Sequence, residues 1–323
     1  MAWQVAVVVL VSIVVTIVAK TTAANLGARG IASGYDYLTR AAGFEISQGL
    51  LSYSSRDTYG RAVLVGLANT IRLSLLGIVG ATALGVLVGI AQVSPLWIAR
   101  TAGRVYVEAA RNTPLLLQLL FWYSLWRQLP GSDAALSPLP GVFLSARGLF
   151  LPRLIGHAGL PWFALDRPSL VGFDFRGGIS ISPEFGTLLV GLTLYTAAFI
   201  AEIVRGGIVS VDRGQTEAAA ALGLSELRIL RLVILPQALP AIVPPTISQF
   251  LNLAKNSSLA IAIGYPDLLS ITNTTVNQTG QAIEAFALAA ACYLAVSLAV
   301  SIAANASAGA LRARLGRGAL HVG

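Results

Sequence analysis

The chain has 323 residues, of which 55% are hydrophobic and only 11% charged, about half the charged fraction of an ordinary soluble domain and too little for a water-soluble coat. Its net charge of +8 raises the question of nucleic acid, but Lys20 and Lys255 are the only lysines, and the other 20 of the 22 cations are arginines. These are scattered through short connections with no basic run to follow a phosphate backbone, so membrane topology explains the charge and nucleic-acid binding is excluded.

The apolar residues fall into runs long enough to cross a bilayer. Six spans are predicted, at 2–19, 63–93, 105–128, 185–207, 241–263 and 285–306. The stretch Met1–Ala19 lacks a basic start and is followed by Lys20 rather than a small-residue cleavage site, so it is expected to stay as a span. The second span exceeds what a bilayer needs and carries Arg72 in its first third, which places its start in water or at the interface. In the third span Pro114 is expected to kink or start a helix, because proline lacks a donor and clashes with the preceding turn. Glu108 and Arg111 stand three apart there, and Glu202 and Arg205 repeat the spacing in the fourth span. Both read as interfacial ion pairs or, alternatively, as contacts to cargo.

The connection 130–183 is rich in Gly, Pro, Ser and aromatic residues. Gly141–Phe150 and Leu160–Phe175 are expected to form short interfacial or re-entrant pieces, neither long enough to span. The fifth span contains Pro244-Pro245 and Lys255, flanked by Asn252 and Asn256. An ammonium in hydrocarbon costs at least about 2.5 kcal/mol, so Lys255 is expected either to face a translocation path or to pair with Glu108 or Glu202. Cys292, the single cysteine, sits in an apolar run as a small buried hydrophobe.

The connections alternate in charge. Segments 20–61, 130–183 and 264–284 hold nine Lys/Arg in 117 residues, against ten in 63 for 94–111, 205–237 and 312–323. The denser set is expected to be cytoplasmic, with both termini inside. Neither lysine follows a glycine, so no phosphate-cradling Gly-x-x-x-x-Gly-Lys loop exists and ATP hydrolysis would need another chain. His157 and His321 have no metal-ligand spacing, no Ser/His/Asp group or catalytic carboxylate pair stands out, and no metal or cofactor is expected in this chain.

The most informative segment runs from Gly214 to Pro236. Glu217 follows Gln215 and Thr216 where a carboxylate suits a helix start, four alanines give high helix propensity and a small profile, and Gly223 suits the stop. Ser225 is placed to cap a second short helix that Pro236 is expected to end. On helix physics alone this is either a plain amphipathic connector or a small-faced helix for insertion into a cleft on a partner.

The spacing Glu217-Ala218-Ala219, Gly223, Val233, Leu235-Pro236 resembles the EAA loop of ABC importer permeases, departing only by valine for isoleucine. Leu67–Leu75, Tyr106–Leu116, Tyr195–Arg205 and Asn252–Ala260 are similar to the core of the polar amino-acid permeases, while Ala28–Gly34 and Phe175–Ile179 resemble the general L-amino-acid and glutamate/aspartate permeases. The resemblance implies an all-α membrane protein of about six transmembrane helices: a type I importer core of five, one N-terminal helix and a long periplasmic loop. It implies an N-terminal helix and loop over 1–60, a transmembrane domain over 61–311 with a periplasmic insertion at 130–183 and a cytoplasmic coupling loop at 209–237, and a tail at 312–323. It assigns ATPase coupling to Glu217, Ala218, Ala219, Gly223, Leu235 and Pro236. Candidates for the pathway are Glu108, Arg111, Asn112, Thr113, Glu202, Asn252, Lys255, Asn256 and Ser257. The implied setting is a bacterial inner membrane, with an ATPase dimer that binds ATP and Mg, a second related permease in a heterodimer rather than a homodimer, a periplasmic binding protein and an amino-acid cargo. An ion-coupled transporter or channel, or a non-transporting scaffold, would each lack a use for the spaced inner loop.

Overall fold

The computed structural model describes residues 2–28, 33–156, 163–172 and 174–319. His157, His321, residues 29–32 of the Ala28–Gly34 stretch and residues 160–162 lie outside these. Helix α1 spans Ala2–Ala28, and Trp3, Leu10 and Ile17 on it are all exposed, as expected of a helix whose solvent is lipid. The remaining helices are α2 (Tyr59–Val93), α3 (Trp97–Asn112), α4 (Leu115–Arg127), α5 (Pro183–Val209), α6 (Arg213–Ala221), α7 (Glu226–Ile229), α8 (Leu235–Asn256), α9 (Leu268–Thr279) and α10 (Ala282–Ala319). Among the described residues four helical stretches are long and apolar enough to cross a membrane: Tyr59–Val93, Pro183–Val209, Glu226–Ile263 and Ala282–Ser307.

The chain forms two compact units, Met1–Ala68 with Pro266–Leu294, and Asn69–Tyr265 with Ala295–Gly323. In the first, buried Tyr37 meets the edge of Tyr59 at 5.9 Å between ring centroids. The Tyr59 hydroxyl donates to Gln278 at 2.7 Å. The backbone N–H of Gly34 donates to Glu284 at 3.0 Å, and Gln281 Nε2 donates to the Gly34 carbonyl at 3.3 Å. Helix α9 starts at Asp267, whose carboxylate accepts from the Ser270 N–H at 2.8 Å and from the Tyr293 hydroxyl at 3.0 Å. Burial raises the Asp267 pKa to about 6 against the pull of those hydrogen bonds.

The second unit is organised on α5. Side chains of Leu73, Leu119, Leu188, Leu192, Ile200 and Leu253 are fully buried in its core. Gly85 and Gly89 of α2, four apart, face α5 so closely that a Cβ on Gly85 would fall 2.7 Å from Ile200 and 2.9 Å from the Ala197 carbonyl, and one on Gly89 2.7 Å from Val204. This is small-residue packing, which lets membrane helices approach backbone to backbone. Arg72, expected in water or at the interface, lays its guanidinium over the Phe185 ring, 4.4 Å from the centroid.

The single span predicted at 105–128 is two helices. Pro114 supplies no N–H and holds Thr113 in extended geometry (φ −103°, ψ 127°). Gln118 Nε2 bridges the break, donating to the Ala110 carbonyl at 2.8 Å and the Thr113 carbonyl at 2.9 Å. Helix α4, with 13 residues, reaches about 20 Å, short of a hydrocarbon core of about 30 Å. A second correction concerns Pro236. It does not end the helix after Ser225: a π turn over Leu230–Ile234 carries the chain into α8, with the Leu235 N–H bonded to the Leu230 carbonyl. The hydrogen-bond ladder has already slipped by one residue there, so the missing proline donor falls at the start of α8, where it is tolerated.

The insertion between α4 and α5 is β structure rather than interfacial or re-entrant pieces. Strands β1 (Leu136–Leu139), β2 (Val142–Ser145), β3 (Gly148–Leu151) and β8 (Ile179–Ile181) form an antiparallel sheet in the order β1-β2-β3-β8. β4 (Arg153–Gly156) pairs with β5 (Phe163–Asp166), and β6 (Ser169–Val171) with β7 (Asp174–Arg176). Phe143 stacks on Phe175, Phe150 meets the same ring tilted at 4.4 Å between centroids, and Trp126 of α4 donates to the Ser145 carbonyl at 3.1 Å. The runs are too short for periodicity to separate strand from helix, and the turns between them are what define the hairpins.

Candidate functional site

Two features stand out in the second unit. The first is the loop after α5. Asp212 caps α6 through its side chain, accepting from the Gly214 N–H at 2.6 Å, so the helix starts at Arg213 and Glu217 lies in its second turn rather than its first. The helix closes on Gly223, at φ +80°. The Gly223 N–H bonds the Ala220 carbonyl at 2.9 Å and the Leu224 N–H bonds the Ala219 carbonyl at 3.2 Å, the paired bonds of a left-handed helix stop. Ala219 is buried, whereas Glu217, Ala218, Ala220 and Ala221 are exposed. Leu222 and Leu227 are 83% and 75% exposed. The segment thus presents a small-residue helix flanked by two bare leucines, an apolar face with nothing of its own chain on it. Leu235 and Pro236, half-buried, sit at the start of α8.

The second feature is a cavity of about 580 Å³, within the range of small-molecule sites. Helix α3 buries Gly103, Val107 and Ala110 at helical spacing, and Val107 and Ala110 pack on Ala198 and Ala201 of α5. That packing turns Arg104, Glu108, Arg111 and Asn112 toward the cavity, where α5 contributes Phe199, Glu202 and Arg205. Glu202 and Arg205 form a two-point ion pair at 2.5 and 3.0 Å. The matching pair does not form in α3: among the described residues Glu108 has no ion-pair partner within 4.0 Å, and Arg111 stands 5.2 Å from the centre of the Phe199 ring. From the end of α2, Gln92 completes the lining. It is only 3% exposed, and its Nε2 has no hydrogen-bond partner.

The structure therefore gathers Glu108, Arg111, Asn112 and Glu202 around one cavity and leaves the other pathway candidates elsewhere. Thr113 donates to the Ala109 carbonyl at 2.9 Å and lines an adjacent apolar recess with Gln118. Asn252, Lys255 and Asn256 lie at the end of α8, with Lys255 exposed and no carboxylate within 4.0 Å of it among the described residues. Ser257 is buried and donates to the Ala254 carbonyl at 2.8 Å. Gln92, Arg104 and Phe199 were not anticipated. A lone amide at the end of the apolar run 73–93 is a signal that sequence reading had available for Gln92. No cluster of His, Cys, Asp or Glu able to hold a metal occurs among the described residues.

Residues 81–317 match the family model of the binding-protein-dependent transport system inner membrane component. The putative amino-acid ABC transporter permease protein YhdX of Escherichia coli is 42% identical over 88% of this chain and 86% of its own. The general L-amino acid transport system permease protein AapQ of Rhizobium johnstonii is 39% identical over 89% and 86%. Among solved structures, that of an amino acid ABC transporter with histidines superposes with a TM-score of 0.56 at 25% identity, covering 79% of this chain and 95% of that one.

Proposed function

Because the chain belongs to the family of binding-protein-dependent transport system inner membrane components and is an amino-acid ABC transporter permease, we propose that it forms half of an ATP-driven import pathway coupled to a separate ATPase through the loop at 209–237. It is a multi-pass inner-membrane transport subunit and not an enzyme. The observation that carries the coupling role is the exposed α6 with its glycine stop and bare Leu222 and Leu227. Alanines allow a cleft on the partner to close on the helix backbone, and the two leucines supply apolar area. Glu217, Ala218, Ala219 and Gly223 make the docking element, and Leu235 with Pro236 transmit its movement into α8. ATP and Mg belong to the ATPase dimer.

The denser positive charge of 94–111, 205–237 and 312–323 supports a cytoplasmic position for that loop and both termini, with the β insertion on the periplasmic side, where a binding protein delivers the amino acid. Domain limits follow as 1–60, 61–311 and 312–323. Helix α8 supports a partner permease. Pro240, Pro244 and Pro245 lie inside it and remove the α-helical donors to the carbonyls of Pro236, Pro240 and Ala241. Pro240, Ala241, Pro244 and Pro245 are exposed on the chain by itself. Bare carbonyls do not face lipid, so this side of α8 faces a water-filled path or the second permease, in a heterodimer. Glu108, Arg111, Asn112, Thr113 and Glu202 line the path in one region and Asn252, Lys255, Asn256 and Ser257 in another.

The test is the assembled complex with its binding protein. Gly223→Asp and Glu217→Lys abolish cargo-stimulated ATP hydrolysis while the permease still inserts; unchanged stimulation contradicts the docking assignment.

A further inference from the structure

A different cavity of the second unit, of about 480 Å³, is walled by α2, α5, α8 and the later half of α10. Among the described residues no charged side chain lines it. Its three hydroxyls are spent within their own helices: Thr82 donates to the Ile78 carbonyl at 2.7 Å, Thr246 to Ile242 at 2.8 Å and Ser307 to Ala303 at 2.8 Å. A buried water makes about three hydrogen bonds, and this lining offers it no unspent donor, so the chemistry suits an apolar occupant. Left unfilled, a space of this size would strip van der Waals partners from the side chains around it.

Its dimensions select among apolar occupants. The lining runs from Leu75 to Val86 on α2 and from Leu239 to Phe250 on α8, about 16 Å of rise in each case. That is the depth of one leaflet of hydrocarbon, half of about 30 Å. A helix with its side chains, about 10 Å across, takes roughly 1,300 Å³ over the same rise and does not fit. The second permease is also on the other side. Leu239, Val243, Thr246 and Phe250 repeat at helical spacing on one face of α8, whereas Pro240, Ala241, Pro244 and Pro245 occupy the opposite face. At its ends the cavity reaches Leu75, Ala303 and Ser307, all exposed on membrane-spanning helices. Charge points to one leaflet. Val204, Leu239 and Ser307 lie toward the ends of α5, α8 and α10 that adjoin the loop 205–237 and the tail. Arg228 and Arg231, just ahead of α8, are exposed with no carboxylate within 4.0 Å among the described residues, and Arg312 and Arg314 follow Ser307 in the sequence. Basic residues at the cytoplasmic ends of membrane helices attract anionic headgroups.

Resting on the permease reading above for its orientation, we propose that this cavity holds one acyl chain of an anionic phospholipid from the cytoplasmic leaflet, with the headgroup drawn to the arginines at the inner ends of α8 and α10. The chain backs α8 on the face opposite its proline side, and α8 continues from the loop that docks the ATPase. With the chain in place α8 transmits the movement of that loop; without it α8 yields into the cavity.

The experiment uses the ATPase–permease complex in nanodiscs containing phosphatidylglycerol with a diazirine midway along one acyl chain, and maps the adducts by peptide mass spectrometry. Label concentrates on 239–250 and 300–307. Ala303→Phe, which fills the cavity, removes the label there and leaves that on α1 unchanged. Ser307→Phe, at the exposed end of the lining, does the same should the first variant fail to assemble. Arg228→Gln and Arg231→Gln each lower labelling by about fivefold, the effect of one basic residue near an anionic surface. Phosphatidylcholine carrying the same diazirine labels the cavity more weakly than phosphatidylglycerol. Label no denser on α8 than on α1, equal labelling by phosphatidylcholine or by a diazirine fatty acid, or label unaltered by both filling variants overturns the proposal. So does Phe250→Cys cross-linking to the second permease, which would put protein where the chain belongs. ATP-driven uptake with the binding protein restored separates the two levels of argument. Normal uptake by a parent complex that lacks this labelling removes the lipid site alone, whereas a labelled complex that imports no amino acid removes the permease reading and leaves the site.

Discussion

Replacing Gly223 by alanine isolates the backbone contribution of the loop, because a Cβ built there meets no atom within 4 Å. The residue holds φ +80°, and an L-residue in that left-handed region costs roughly 1–2 kcal/mol. At a factor of ten per 1.4 kcal/mol, the population with the helix stop closed falls by up to about 5–30-fold. The apparent affinity for a partner that needs the closed form falls by at most the same factor. Asparagine tolerates the left-handed region better than alanine, so activity ranks glycine first, asparagine next and alanine last. The assay is cargo-stimulated ATP hydrolysis by the reconstituted complex, titrated with the ATPase, alongside amide exchange of Gly223 and Leu224, whose N–H groups close the stop at 2.9 and 3.2 Å. Faster exchange together with an unchanged ATPase titration refutes the link between the glycine stop and docking. Equal behaviour of alanine and glycine in both readouts refutes the conformational argument itself.

Other outcomes follow from the same structure. Asp267 has a folded pKa of about 6, above the roughly 3.9 of an unfolded aspartate. Between those values the folded state holds the extra proton, so stability falls as pH rises from about 4 to 6, by roughly 3 kcal/mol at most. Asp267→Asn keeps a good helix cap and flattens that slope in thermal melts of the purified permease; an unaltered slope rejects the assignment. Gly85→Val drives a side chain into Ile200 and the Ala197 carbonyl. It costs about 1–3 kcal/mol or more, read as a lower melting temperature in detergent. In a Cys292→Ala background, cysteine at Ala241 or Ser248 of α8 reacts with a water-soluble maleimide in the assembled complex, or is shielded by the second permease, whereas cysteine at Ile13 of α1 reacts only with a lipid-soluble one. Equal reactivity of positions 241 and 13 with the lipid-soluble reagent alone places the proline side of α8 in lipid.

Much of the membrane architecture was legible because its signal is length and apolarity. The runs at 63–93, 185–207 and 285–306 fall inside α2, α5 and α10, and Gly223 marked the end of α6 because few other residues accept its φ. What escaped was set by context. Pro114 broke a run that hydropathy alone joins, since hydropathy does not register a missing N–H. Pro236 failed to break one, because a π turn shifts the ladder ahead of it, and no composition reports a slipped hydrogen bond. The strands described in the insertion span three or four residues each, too few to show alternation. At the cavity, Glu108–Arg111 and Glu202–Arg205 share one spacing, yet only the second pair forms. Arg111 is turned toward Phe199 by the packing of α3 on α5, a fact of tertiary structure that helix spacing does not contain.

The central claim is that α6 enters a separate ATPase on the cytoplasmic side. A photo-cross-linking amino acid at Ala220, exposed on α6, tests it in intact cells. The account predicts a covalent adduct with a nucleotide-hydrolysing subunit and protection of the same position, as cysteine, from impermeant reagents added outside. Labelling from the periplasm, or import that continues with no such subunit attached, contradicts it.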